Sequence, residues 1–137
     1  MGGKLFGPNQ YQVLDFTYDA SSDSAASGAT GTYNLGDLPD SFVVHDCWVV
    51  VDESFAGGAT ITVGEDGGGD ADGYFTDIGS AATGNVVESD GALVGASGLI
   101  HIVDSAKDGV LVTVSSAAAT AGKCKVYFAG HQHIALS

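Results

Sequence analysis

Eleven consecutive residues, Phe42–Asp52 (FVVHDCWVVVD), constrain this chain more than any other stretch, because they join its single Trp to five valines. β-Branched and aromatic residues at that density favour a strand, and Gly36 and Gly57–Gly58 on either side oppose a helix. Strict alternation would put Val43, His45, Cys47, Val49 and Val51 on one face and Phe42, Val44, Asp46, Trp48 and Val50 on the other. A strand apolar on both parities must be covered on both faces, or covered on one and joined to a partner on the other. The stretch is therefore expected to be a central core strand.

A chain of 137 residues suits one domain and buries about two-thirds of its extended surface on folding. Residues 1–10 are expected to form an N-terminal arm and residues 11–137 the domain. The 17 acidic residues stand against 4 lysines, for a formal net charge of −13. Nucleic-acid binding depends on neutralising phosphates with Lys and Arg, so this charge argues against it and, by the same repulsion, against an anionic membrane surface. The 21 glycines and two prolines suit short strands and many turns. The start, MGGKLFGPNQYQ, lacks the apolar core of a secretory signal, and no later stretch approaches a membrane span, so the chain is expected to be used without export. Cys47 and Cys124 fall on separate expected strands with no CxxC neighbour, and are expected to be reduced, buried thiols.

In the arm, Gly2, Gly3, Gly7 and Pro8 oppose regular structure, while Leu5 and Phe6 are unusually apolar for a free tail. They either dock on a neighbour or plug the end of their own core. Tyr11–Tyr18 alternates as a strand with Leu14 and Phe16 on one side and Tyr11, Val13 and Asp15 on the other. A Ser/Ala/Gly/Asp loop leads to a short strand over Thr30–Leu35. Beyond the central strand, Phe55 and the Ala56-Gly57-Gly58 turn suggest a hairpin into Ala59–Gly64. One helical turn fits Thr76–Gly84, weaker strands fit Asn85–Val94 and Ser97–Val103, and Val110–Ser115 is expected to pair with Cys124–Ala129. About eight short strands with turns between them imply an all-β fold: an antiparallel β-sandwich, jelly-roll-like, with an extended N-terminal arm.

Few residues suggest chemistry. Asp66, Asp70 and Asp72 sit in a Gly-rich loop that suits calcium, although Gly68 and Gly79 fall where an EF-hand needs its first and last ligands. The loop is read as a solvated turn and no cofactor is expected, calcium being the one alternative. His131 and His133 share a face if the tail is extended and would need a third ligand such as His101 to complete a transition-metal site; they are read as polar tail residues. Cys47 and His45 lie two apart on one expected face, yet a core strand is a poor place for a reactive thiol. No nucleophile elbow or phosphate-binding loop is present, and the chain is not expected to be an enzyme.

The run TYNLGDLPDSFVVHDCWVVVDESFAGGATITVGEDGGGDADGYF, followed by GVLVTVSSAAATAGKCKVYFA, resembles small structural proteins of tailed bacteriophages. The shared order is an "NLG-LP" strand end, a Val-rich strand, an "AF-GG" turn, a "TVG" strand, a "GDADGY" loop and an "AGK-V-V" approach to the final strand. The resemblance covers Thr32–Phe75 and Val110–Ala129 and implies a capsid decoration or cement protein with a jelly-roll-like body. It further implies a homotrimer on the capsid exterior that binds the major capsid protein, made in the host cytoplasm, with no nucleic-acid or membrane partner. On this reading Leu5, Phe6 and Pro8 are the partner-binding residues. Two other readings remain: a carbohydrate-binding module on a head or fibre using Tyr33, Tyr74 and Phe75, and a tail or neck subunit. His45, Cys47 and the HQH tail depart from the group's pattern.

Overall fold

The computed structural model describes residues 11–21, 28–96 and 100–133, so the arm with Leu5, Phe6 and Pro8 lies outside the described residues. Eight strands succeed one another: β1 (Gln12–Asp19), β2 (Gly31–Asp37), β3 (Phe42–Ala56), β4 (Thr60–Glu65), β5 (Val86–Glu88), β6 (His101–Ile102), β7 (Gly109–Ser115) and β8 (Ala121–Gln132). One sheet, here sheet A, runs β1-β8-β3-β5, with β6 also on the free side of β3. The other, sheet B, runs β2-β7-β4. All strand pairs are antiparallel, and together the sheets form the expected all-β sandwich.

None of these strands pairs with its neighbour in sequence. The expected hairpin after Phe55 does not form. Gly57 and Gly58, at φ +104° and +75°, instead turn the chain out of sheet A into sheet B, where β4 pairs with β7. The expected β7–β8 pairing is likewise absent: β7 lies between β2 and β4, and β8 between β1 and β3. Val110, Val112 and Val114 of β7 join one core with Cys124, Val126 and Phe128 of β8 across the sandwich. Alternation reports which side chains turn inward, and it is the same for strands packed edge to edge or face to face.

β3 departs from simple alternation for a local reason. Its ladder with β8 slips between Val44 and Asp46 and again between Val51 and Glu53. Each slip is a bulge, which inserts one residue and reverses the parity of the residues beyond it. The buried residues are therefore Phe42 and Val44, then Cys47, Val49 and Val51, while the adjacent pair His45 and Asp46 is exposed. This corrects the faces expected from strict alternation and separates His45 from Cys47. The strand is apolar on both parities partly because its inward parity changes, and partly because Val43, Trp48 and Val50 make a half-buried outer face.

Phe128 anchors the core. It is fully buried and receives Phe16 edge-on at 5.7 Å and Tyr74 edge-on at 5.0 Å. Around it close Phe42, Phe75, Ile61 and the valines of β3, β4 and β7. The segment 76–84 forms turns and not the expected helical turn; Asp77 Oδ1 accepts from the backbone N–H groups of Ile61 at 3.0 Å and Gly79 at 2.8 Å, drawing Ile78 inward.

Two measurements test this core. Replacing Phe128 with Ala is expected to cost about 3–5 kcal/mol, read as a lower urea midpoint, because the aromatic contacts and the filled volume are lost together. Alkali is the second test. Burial pushes the Cys124 thiol from 9.0 up to about 12 and the Cys47 thiol well above its ordinary value, and burial likewise raises Tyr18 from 10.0 to about 12. Above about pH 9 the unfolded chain releases protons that the native state still holds, so these groups' contribution, fully present below pH 9, falls as pH rises towards 12. Urea midpoints measured from pH 8 to 11 should decline, and the decline should be shallower in Cys124→Ala.

Candidate interaction surface

The outer faces of the two sheets differ in chemistry. On sheet B, Thr32, Thr113 and Thr62 stand side by side across β2, β7 and β4, giving a hydroxyl ladder of the kind water covers well. On sheet A the outward positions mix aromatic and aliphatic residues with charged ones, Asp15 standing opposite Tyr127, Glu88 opposite Trp48 and Lys125 opposite Val50. Trp48 of β3 lies opposite Tyr127 of β8, their rings stacked at 5.5 Å and 6°. Val50 faces Val86 of β5, and Val43 faces Ile102 of β6. The exposed large hydrophobic residues, Tyr11, Val13, Val86, Ile100 and Ile102, all lie on or beside strands of sheet A. An antiparallel sheet with one wet face normally shows polar residues there, and large apolar residues grouped among them mark a candidate contact surface.

The described chain also begins on this face. Tyr11, more than half exposed, packs edge-to-face with His45 at 5.9 Å. Among the described residues the only carboxylate within salt-bridge distance of a basic side chain is Glu65, beside His101, which leaves the acidic surface largely without cationic partners. Glu65 is buried and His101 partly so: Glu65 Oε1 stands 3.6 Å from His101 Nε2, which has no hydrogen-bond partner, and Tyr74 packs edge-on to the imidazole at 6.2 Å. Burial, and next the Glu65 charge, hold the Tyr74 hydroxyl far above its ordinary value. His101 is thus engaged away from His131 and His133.

The carboxylates of the Gly-rich loop are distributed differently from their spacing. Asp66 converges with Asp37 and Asp108, their nearest oxygens all within 4.8 Å of one another, while Asp70 and Asp72 are not part of that group. Three such oxygens are the donor type a hard cation takes. Asp66 is already engaged, however: Oδ1 accepts from the Gly109 N–H at 3.0 Å and Oδ2 from the Asn34 amide at 2.9 Å. Asn34 in turn accepts from the Gly36 N–H at 2.8 Å, so the "NLG" and "VGED" segments are tied together at the start of β7. A Cβ at Gly109 would collide with both Asn34 and Asp66, which is why glycine stands there. A side-chain hydrogen bond with Asp70 raises the Asp72 carboxyl above its ordinary value.

Two of the aromatic residues of the carbohydrate reading are buried, Tyr74 at 1% and Phe75 at 0% exposure, and Tyr33 is half-buried with its hydroxyl donating to the Ala29 carbonyl at 2.6 Å. No aromatic platform for a sugar remains among them. What composition did not reveal is the apolar outer face of sheet A; the signal was the Val and Trp residues on the second parity of β3, read in the sequence as a strand needing cover on both sides.

Neither a family model nor a curated protein matches this chain. Its fold does match solved structures. A chain of the cyanophage Pam1 capsid asymmetric unit superposes with a TM-score of 0.66 at 17% identity, covering 97% of this chain and 93% of that one. A chain of the Ralstonia phage GP4 capsid gives 0.57 at 20% identity, covering 90% and 86%. A chain of the acidic stable capsid structure of Helicobacter pylori bacteriophage KHP30 gives 0.56 at 15% identity, covering 89% and 93%. At these identities the likeness is one of fold, and it spans nearly the whole of proteins of similar length.

Replacing Asp66 with Ala is expected to lower stability by about 1–3 kcal/mol in urea titration, since the part-buried Gly109 N–H loses its acceptor. The exposed Asp72→Ala change should stay within about 0.5 kcal/mol.

Proposed function

We propose that this protein is a non-enzymatic structural component of a tailed-bacteriophage virion, a decoration or cement protein that binds the assembled major capsid protein shell from outside. The observation that carries this reading is the full-length fold likeness to chains of similar size in three phage capsid structures. The apolar outer face of sheet A supports it, because a protein that works by adhesion needs a surface and no catalytic constellation. The occupant of that face is the major capsid protein, with the Leu5–Phe6–Pro8 arm adding a second contact to the shell or to sister copies in a homotrimer. A component that binds only the assembled shell stabilises it by mass action. No helix among the described residues is long and apolar enough to cross a membrane.

The purified protein mixed with phage heads stripped of minor proteins should co-sediment and saturate at a fixed copy number per capsid subunit. Replacing Leu5 and Phe6 together by Ser, or Ile102 by Asp, should weaken binding at least tenfold while leaving thermal unfolding of the body unchanged. Absence of binding by the folded parent would move the assignment to a tail or neck position.

A further inference from the structure

We infer that His45 and His131 form a binding site for one first-row transition-metal ion of the Ni²⁺ or Cu²⁺ class. The site lies at the first bulge of β3. His131 stands on β8 opposite Val43, and His45, two residues on and of the same outward parity, is the extra residue of the register slip between Val44 and Asp46. His45 Nε2 then lies 2.9 Å from His131 Nδ1, with ring centroids 5.0 Å apart. Without the bulge His45 would share a parity with Val43, but the strand beyond would bury Trp48 and expose Cys47. The bulge thus sets the core beyond it, while the outward turn of His45 follows from the parity it shares with Val43.

The two nitrogens stand 2.9 Å apart, a hydrogen-bond distance, and nitrogen ligands at about 2.0–2.1 Å from one ion stand about 2.9–3.3 Å apart, so both rings reach a single ion with a small turn. In the metal-free protein one nitrogen donates its hydrogen to the other. On binding, the donor ring moves that proton to its distal nitrogen through solvent and turns its freed lone pair to the ion, so the proton stays on that ring and each ring offers one lone pair.

The surroundings suit an ion arriving from solution. His45 is exposed and His131 half-buried, and the Tyr11 ring edge braces His45 on its other side. Asp46 is turned back to the Cys47 N–H at 2.8 Å, so water fills the remaining coordination positions. The net charge of −13 raises the local concentration of cations. Imidazole donors select borderline transition ions over Ca²⁺ or Mg²⁺, which separates this pair from the oxygen cluster of Asp37, Asp66 and Asp108.

Calorimetric titration of the untagged full chain with Ni²⁺ tests the site. One equivalent should bind, an excess of Mg²⁺ should not compete, and His45→Ala and His131→Ala should each weaken binding at least tenfold with melting temperatures close to the parent's. Asp66→Ala should leave Ni²⁺ affinity unchanged. Parent-like affinity in His45→Ala would assign the ion to His131 and His133 and overturn the proposal, as would the absence of saturable binding by the parent.

Discussion

The antiparallel ladder between β3 and β8 is the interaction on which the rest of the molecule depends. It runs from Phe42 opposite Gln132 to Ala56 opposite Ala121, and it joins segments some 65 to 90 residues apart in the chain. Everything else in sheet A attaches to it: β1 to the outer edge of β8, and β5 and β6 to the free side of β3. Its inward side chains supply Phe42, Val44, Cys47, Val49, Val51, Cys124, Val126 and Phe128 to the core, and sheet B closes over them with Ile61, Val63, Val110, Val112 and Val114. Because no strand pairs with its sequence neighbour, local hairpins contribute little, and the fold rests on non-local pairing throughout.

The first bulge in that ladder keeps Cys47, Val49 and Val51 facing the core after an exposed pair of polar residues, of which His45 meets His131. A regular ladder of the same residues would have buried Trp48 against the second sheet and left the thiol of Cys47 in water. One inserted residue therefore decides both what the sandwich holds inside and what it displays.

The displayed surface is unequal. A strongly acidic chain resists unselective self-association through its charge, and this permits one apolar face without indiscriminate aggregation. The Thr ladder of sheet B stays wet, while Trp48, Tyr127, Val50 and Val86 on sheet A offer area for a selective partner. The short strands β5 and β6 cover part of the free edge of β3, which limits strand addition there and directs contact to the face.

The sequence by itself determined the class of fold, the central place of Phe42–Asp52, most strands and the buried state of both cysteines, because β-branched density, alternation and glycine turns are local properties of the chain. It also carried the order of turn motifs on which the resemblance to phage structural proteins rests. Tertiary structure alone decided which strands pair, since alternation is blind to whether a neighbour lies beside a strand or across the core. It decided too that Asp66 meets Asp37 and Asp108, that His45 meets His131, and that Tyr74 and Phe75 turn inward. These are meetings of residues distant in the chain, and only the register of the ladders, with the bulges that shift it, brings them together.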